Sequence, residues 1–274
     1  MSTRMTALRL ARLIAAGDVD LVQQAVAAQP RLLSTTVERD GQGGWTPLHL
    51  AVAAGHTSLV EALAAAGADL AALTEGGLSP LHLALEHSPD LVAVLRRLGA
   101  PVDAASAAFL GDVALLTGAL DGGAPPIDPA TGVDLLSRAA AGGSVATVRV
   151  LLDRGADPDS GALHAAAAVG ATPVVELLLQ AGADVDGRDR DTGRTPLHTA
   201  VAAGADGPGA AAVVPLLLDA GADVNATTHD GASALDIARV AGARRRAARA
   251  RDDGEDGGDG DPLSRLLVAA GATG

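Results

Sequence analysis

The sequence predicts an all-α solenoid of short helix pairs, and three observations lead there. Hydrophobic residues make up 48% of the 274-residue chain while aromatic residues contribute only 1%. Its apolar content is thus Ala, Val and Leu, which suits closely packed helices better than a sheet interior rich in β-branched and aromatic side chains. Gly-Ala-Asp and its variants recur at Gly67, Gly99, Gly155, Gly182 and Gly221, with Gly-Ala relatives at Gly123 and Gly271. A second signature precedes several of these: "TPLHLAVAAGH" at 46–56, "SPLHLALEHS" at 79–88, "ALHAAAAVG" at 162–170 and "TPLHTAVAAG" at 195–204.

The unit around residues 46–69 shows why each position is filled as it is. Thr46 is a preferred N-cap, its hydroxyl accepting from an orphan N–H of the first turn. Pro47 follows at the first helical position, where its missing N–H costs nothing. His49, at the third position, is placed to reach back to the cap as the acid of a capping box does. Leu48 and Ala51 share the inward face, with Ala small enough for close helix approach. Gly55 ends this helix in a left-handed cap. A second helix turns Leu59, Val60 and Leu63 inward and ends at Gly67. Similar aliphatic blocks, such as "TVRVLLDRGADP" and "PVVELLLQAGAD", supply the second helix of later units.

The TPLH-x-A signature at a period of about 33 residues resembles the ankyrin repeat. The resemblance covers nearly the whole chain, with several copies in register. It implies helix-turn-helix units joined by β-hairpin or finger loops, several of them shortened here, and a concave first-helix face that binds protein partners. It also implies a structural role for His49, His82, His164 and His198 and for His56.

In this register the chain is expected to be one array, 1–274. An N-terminal cap at 3–36 has Arg9 and Arg12 where other units are apolar or small. Repeats follow at 40–69 and 70–101, then a degenerate fourth at 102–124. Further repeats cover 125–157, 158–184 and 185–223. A C-terminal repeat at 224–274 carries an inserted loop at 244–262. Inter-helix insertions sit at 206–210 and within that loop, whose five arginines run into six carboxylates. The Ala-Arg half could extend as a helix, and the Asp-Gly half is expected to be disordered. The degenerate repeat and the Pro-rich 124–129 segment suggest a weak seam near 100–130.

Several functions are disfavoured by composition. Net charge of −13 opposes a phosphate backbone or an anionic membrane. The chain has no cysteine and no lysine. This removes disulfides, thiolate sites, Schiff-base lysines and the phosphate-cradling lysine motif. No secretory leader or membrane span is expected. The four TPLH histidines belong to separate repeats and are not placed to converge on a metal. Asp69, Asp157, Asp184 and Asp223 recur at one repeat position, where Asp caps the turn leaving a helix. A calcium loop starting at Asp252 fails because Gly254 and Leu263 occupy ligand positions.

The expectation is therefore a non-catalytic, cytoplasmic, monomeric adaptor or inhibitor without cofactor or metal, binding an unidentified protein partner. The alternative is nucleic-acid association through the Arg-rich 244–251 segment, which the adjoining acids would neutralise locally. The resemblance places Trp45, Leu78 and Arg194 at the exposed position before the capping residue. Large apolar groups there suggest a contact site. Glu86 and His87 end a first helix, and Arg188, Arg190, Arg194 and His229 sit in fingers. The partner expected for these residues has an apolar anchor and some acidic character.

Overall fold

Each glycine-bounded apolar block folds as a short helix, and the helices come in pairs. The computed structural model describes residues 5–127, 132–204, 208–252 and 262–273, with side chains described except at 208–210 and 245–252. In chain order the first four pairs are α1 (Ala7–Ala15) with α2 (Val19–Ala28), α3 (Pro47–Ala53) with α4 (Thr57–Ala65), α5 (Pro80–His87) with α6 (Val92–Arg97), and α7 (Ala104–Leu110) with α8 (Val113–Asp121). The remaining four are α9 (Leu135–Ala141) with α10 (Val145–Asp153), α11 (Ala162–Val169) with α12 (Thr172–Gln180), α13 (Pro196–Gly204) with α14 (Pro208–Asp219), and α15 (Ala234–Asp252) with α16 (Pro262–Ala269). This is the all-α solenoid the repeats predict.

The glycine endings have a specific geometry. After α4, Gly67 takes φ 92° and donates to the Ala64 carbonyl, while Ala68 N–H returns to Leu63 O at 2.9 Å. That is a Schellman motif, with buried Ala68 lying over buried Leu63. It explains why Ala follows Gly so regularly: a small apolar group covers the last turn.

One finger is a true hairpin. Strands β1 (Val37–Arg39) and β2 (Gln42–Trp45) pair antiparallel, with Val37 opposite Trp45 and Arg39 opposite Gln42. Asp40 and Gly41 between them have φ 53° and 77°, the positive angles a two-residue Asp-Gly turn requires.

The chain divides into two compact units. One comprises 1–106 with 127–133, the other 107–126 with 134–274. The first boundary, between Ser106 and Ala107, falls inside α7. In the first unit α1, α3 and α5 stack in order, as do α2, α4 and α6, around Leu10, Leu48, Val52, Leu63 and Leu81. In the second, α9, α11, α13 and α15 stack beside α8, α10, α12 and α14, burying Leu136, Val148, Leu163, Leu178 and Leu217. Each fully buried aliphatic side chain is worth about 1.5–3 kcal/mol relative to exposure, which is why a nearly aromatic-free core suffices.

One local expectation needs revision, and one left open is decided. Residues 208–210 are helical, because Pro208 starts α14 and its fixed φ suits a first helical position. Residues 206 and 207 of the expected 206–210 insertion lie outside the described residues. At the other insertion α15 runs on through the arginine run to Asp252, so 244–251 is helical. The Asp-Gly half of 244–262 lies outside the described residues.

Candidate functional site

Two of the histidines at the repeated position, His49 and His164, link a first helix to the next finger. Thr46 N–H reaches His49 Nδ1 at 3.3 Å, and His49 N–H returns to Thr46 Oγ1 at 3.4 Å. Because a backbone N–H can only donate, Nδ1 must accept, which leaves the ring proton on Nε2. Nε2 then donates to the Leu78 carbonyl at 3.0 Å, 29 residues on. The residue receiving this bond is the one just before the next capping serine, Ser79. His164 does the same one unit after another, its Nε2 lying 2.9 Å from the Arg194 carbonyl, just before Thr195. In the unit after α5 the finger is lost, and His82 Nε2 instead meets Asp103 Oδ2 at 2.9 Å. Burial pushes the Asp103 carboxyl up, but the His82 bond and the Ser106 N–H outweigh it and hold it at about 2. Burial also lowers the pKa of His49 and of His198, against smaller opposing contributions from nearby carbonyls.

Trp45 is placed differently from expectation. The residue is only 7% exposed. It lies edge-on to the His49 ring at 6.2 Å, with the Arg39 guanidinium 5.1 Å over its face. The pairing of Trp45 with Val37 in the hairpin turns the ring inward, so it stabilises the finger and offers no exposed anchor. Leu78 is half-buried, with its N–H on Thr74 Oγ1 and its carbonyl on His49. The expected exposed apolar pair is thus occupied by the fold. The finger containing Trp45 is also tied to the next one: Glu75 N–H donates to Gly43 O at 3.0 Å, and Gly43 N–H to Glu75 Oε2 at 3.2 Å.

The remaining expected residues are exposed. Glu86 and His87 stand at the end of α5, 3.9 Å apart. In the second unit, Arg188, Arg190, Arg194 and His229 lie in the fingers at 185–194 and 226–232. Arg188 is engaged structurally, donating from Nη1 to Thr227 O at 2.7 Å and so joining one finger to the next. His229 N–H donates to Thr192 O at 2.9 Å, and its Nδ1 donates to Asp191 O at 3.2 Å. The imidazole packs so closely on Gly193 that a Cβ there would lie 2.4 Å from His229 Cδ2.

These fingers are mixed in charge rather than basic, because "RDRDTGR" alternates arginine with aspartate. Asp189 accepts from both Thr192 N–H, at 2.8 Å, and Thr192 Oγ1–H, at 2.6 Å, which lowers its pKa. The Thr228 hydroxyl does the same for Asp230. Between the two fingers is a cavity of about 320 Å³. Its walls include Asp191, Thr192, Arg194, His229 and Asp230, and Ala232 and Ile237 also line it.

A second linkage escaped the sequence reading. Asp157 Oδ1 accepts from Asp159 N–H at 3.0 Å, and Asp159 Oδ1 accepts from Asp184 N–H at 2.7 Å. The pattern repeats from Asp184 to Asp186 and on to Asp223, then from Asp223 to Asn225 and on to Thr273. The first acid closes its own turn and the second reaches the next unit, so carboxylates that look like candidate ligands are spent on backbone amides. The alternation G-A-D-x-D or G-A-D-x-N was the available signal. Among the described residues, no three His, Asp or Glu side chains converge as a metal would require.

The family model for ankyrin repeats, described as three copies, matches residues 10–106 and 131–239. The chain belongs to the ankyrin-repeat family. Ankyrin repeats generally mediate protein–protein interaction, and the family is typically non-catalytic. No curated protein matches the chain. No helix among the described residues is long and apolar enough to cross a membrane.

Proposed function

We propose that this ankyrin array is a cytoplasmic, monomeric adaptor or inhibitor that binds a protein partner through its finger tips and concave first-helix face. The observation that carries the reading is that inter-repeat hydrogen bonds hold the fingers in place while their tips stay exposed. Hydrogen bonds from His49 and His164 tie a first helix to the next finger, and those from Arg188 and His229 fix one finger against another. A preorganised loop loses less entropy on binding, so polar tips held this way favour association. Trp45 and Leu78 act beneath the surface as supports. In the first unit His87 and Glu86 are the contact residues, and in the second Arg190, Arg194 and His229, with Arg188 holding their finger.

Capture of partners from the native host by the full chain tests the proposal, with His87→Ala and Arg190→Ala compared against wild type. Both side chains are exposed, so helical circular dichroism should be unchanged. Weakened recovery of a specific protein is the expected result. Equal recovery by wild type and both variants would remove these tips from the binding face.

A further inference from the structure

The cavity between the last two fingers has a chemistry that the protein-binding reading leaves unspecified. Its walls carry two carboxylates, Asp191 and Asp230, against one full positive charge, Arg194. Asp230 uses Oδ1 to receive the Thr228 hydroxyl. Asp191 engages His229 through its backbone carbonyl, and among the described residues its carboxylate has no hydrogen bond or ion pair. Ile237, half-buried on the first turns of α15, and Ala232 provide an apolar surface at the same place. Long aliphatic stems ending in a cation are the side chains that match both features, since they bury methylenes while keeping the charge at polar groups. The net charge of −13 attracts a cationic segment at long range as well.

We propose that this cleft receives an arginine or lysine side chain from an extended segment of the partner. Its stem lies along Ile237 and Ala232, and its cation meets Asp191 and Asp230. Arg194 opposes that cation, which sets an upper limit on affinity and makes removal of its charge a gain. The proposal rests on the protein-binding reading above and adds the partner's chemistry at one site. The two fingers are already locked together through Arg188 and His229, so the cleft exists before the partner arrives.

Fluorescence anisotropy on the full chain tests it, using labelled Gly-Ser-Leu-X-Leu-Ser-Gly peptides with Arg, Gln or Glu at X. The expected order of affinity is Arg, then Gln, then Glu. Asp191→Asn should shrink the Arg-to-Gln ratio about twofold to fivefold, the range of a solvent-accessible ion pair. Arg194→Gln should strengthen binding of the Arg peptide, a gain that misfolding cannot produce. A tightest Glu peptide, an Arg-to-Gln ratio untouched by Asp191→Asn, or no binding of any peptide at about 1 mM would overturn the assignment. If the native partner is still captured when that happens, only the cleft falls. Failure of the full chain to capture any protein would instead remove the reading beneath it.

Discussion

His49 Nε2 lies 3.0 Å from the carbonyl oxygen of Leu78, tying the first helix of one repeat to the finger of the next. The same ring accepts the Thr46 N–H on Nδ1, so one neutral imidazole satisfies a helix cap and an inter-repeat bond together.

His49→Ala should therefore cost about 1–3 kcal/mol, because one buried and one half-buried backbone group lose their partners at once. Urea denaturation monitored by circular dichroism measures it. His87→Ala, on an exposed side chain, is the control and should be within about 0.5 kcal/mol of wild type.

Acidification should weaken the fold through His49 and His198. Burial lowers both folded pKa values below the ordinary 6.5, so the unfolded chain binds more protons in that window. Their neutral-state stability is fully present above about pH 6.5 and is lost as pH falls through the folded values. Protonating His49 would also place a proton between Nδ1 and the Thr46 N–H. Replacing both histidines with Gln should flatten this part of the stability–pH curve.

Asp103 acts in a lower window. Its folded pKa of about 2 is below the usual 3.8, so its contribution is present above 3.8 and is lost as pH falls towards 2. The side chain is 51% exposed, so solvent screening limits the effect to about 1 kcal/mol. Asp103→Asn should remove that acid-sensitive component, read as a loss of stability at pH 5 that disappears at pH 2.

Gly142 lies against the backbone of α7. A Cβ built there would sit 1.9 Å from the Phe109 carbonyl oxygen. Gly142→Ala should destabilise by about 1–3 kcal/mol or more through forced backbone movement. Gly123→Ala meets nothing within 4 Å, so its cost should come only from the left-handed φ of 88°.

The aspartate staircase should show its worth at Asp159. Asp159→Ala leaves the Asp184 N–H without its 2.7 Å partner. The site is exposed and water can replace the carboxylate, so the loss should be about 1 kcal/mol. Hydrogen exchange should quicken at Asp184 before it quickens in α11.

The helix pairs were legible because their signals are local: a cap, a proline, an apolar face and a terminal glycine all fall within one unit. The arginine run was readable as helix for the same reason, since Ala and Arg both favour it. Trp45 was misplaced because its burial depends on pairing. Within β2 it is opposite Val37, and only that register decides which way the indole points. Asp159 was not singled out because its partner, Asp184 N–H, lies 25 residues away. An acidic partner was expected from Arg188, Arg190 and Arg194, whereas the cavity wall brings Asp191 and Asp230 beside Arg194.

The most direct test of the binding role is the affinity of the full chain for its captured partner at two salt concentrations. Three proteins are needed: wild type, the His87→Ala/Arg190→Ala double variant, and a variant with Arg245, Arg246, Arg249 and Arg251 replaced by Ala. The account predicts that the His87→Ala/Arg190→Ala variant loses at least about fivefold, or 1 kcal/mol, while the arginine-run variant binds as wild type. Normal binding by the His87→Ala/Arg190→Ala variant, with affinity lost instead on removing the arginine run and falling steeply with salt towards nucleic acid, would contradict it.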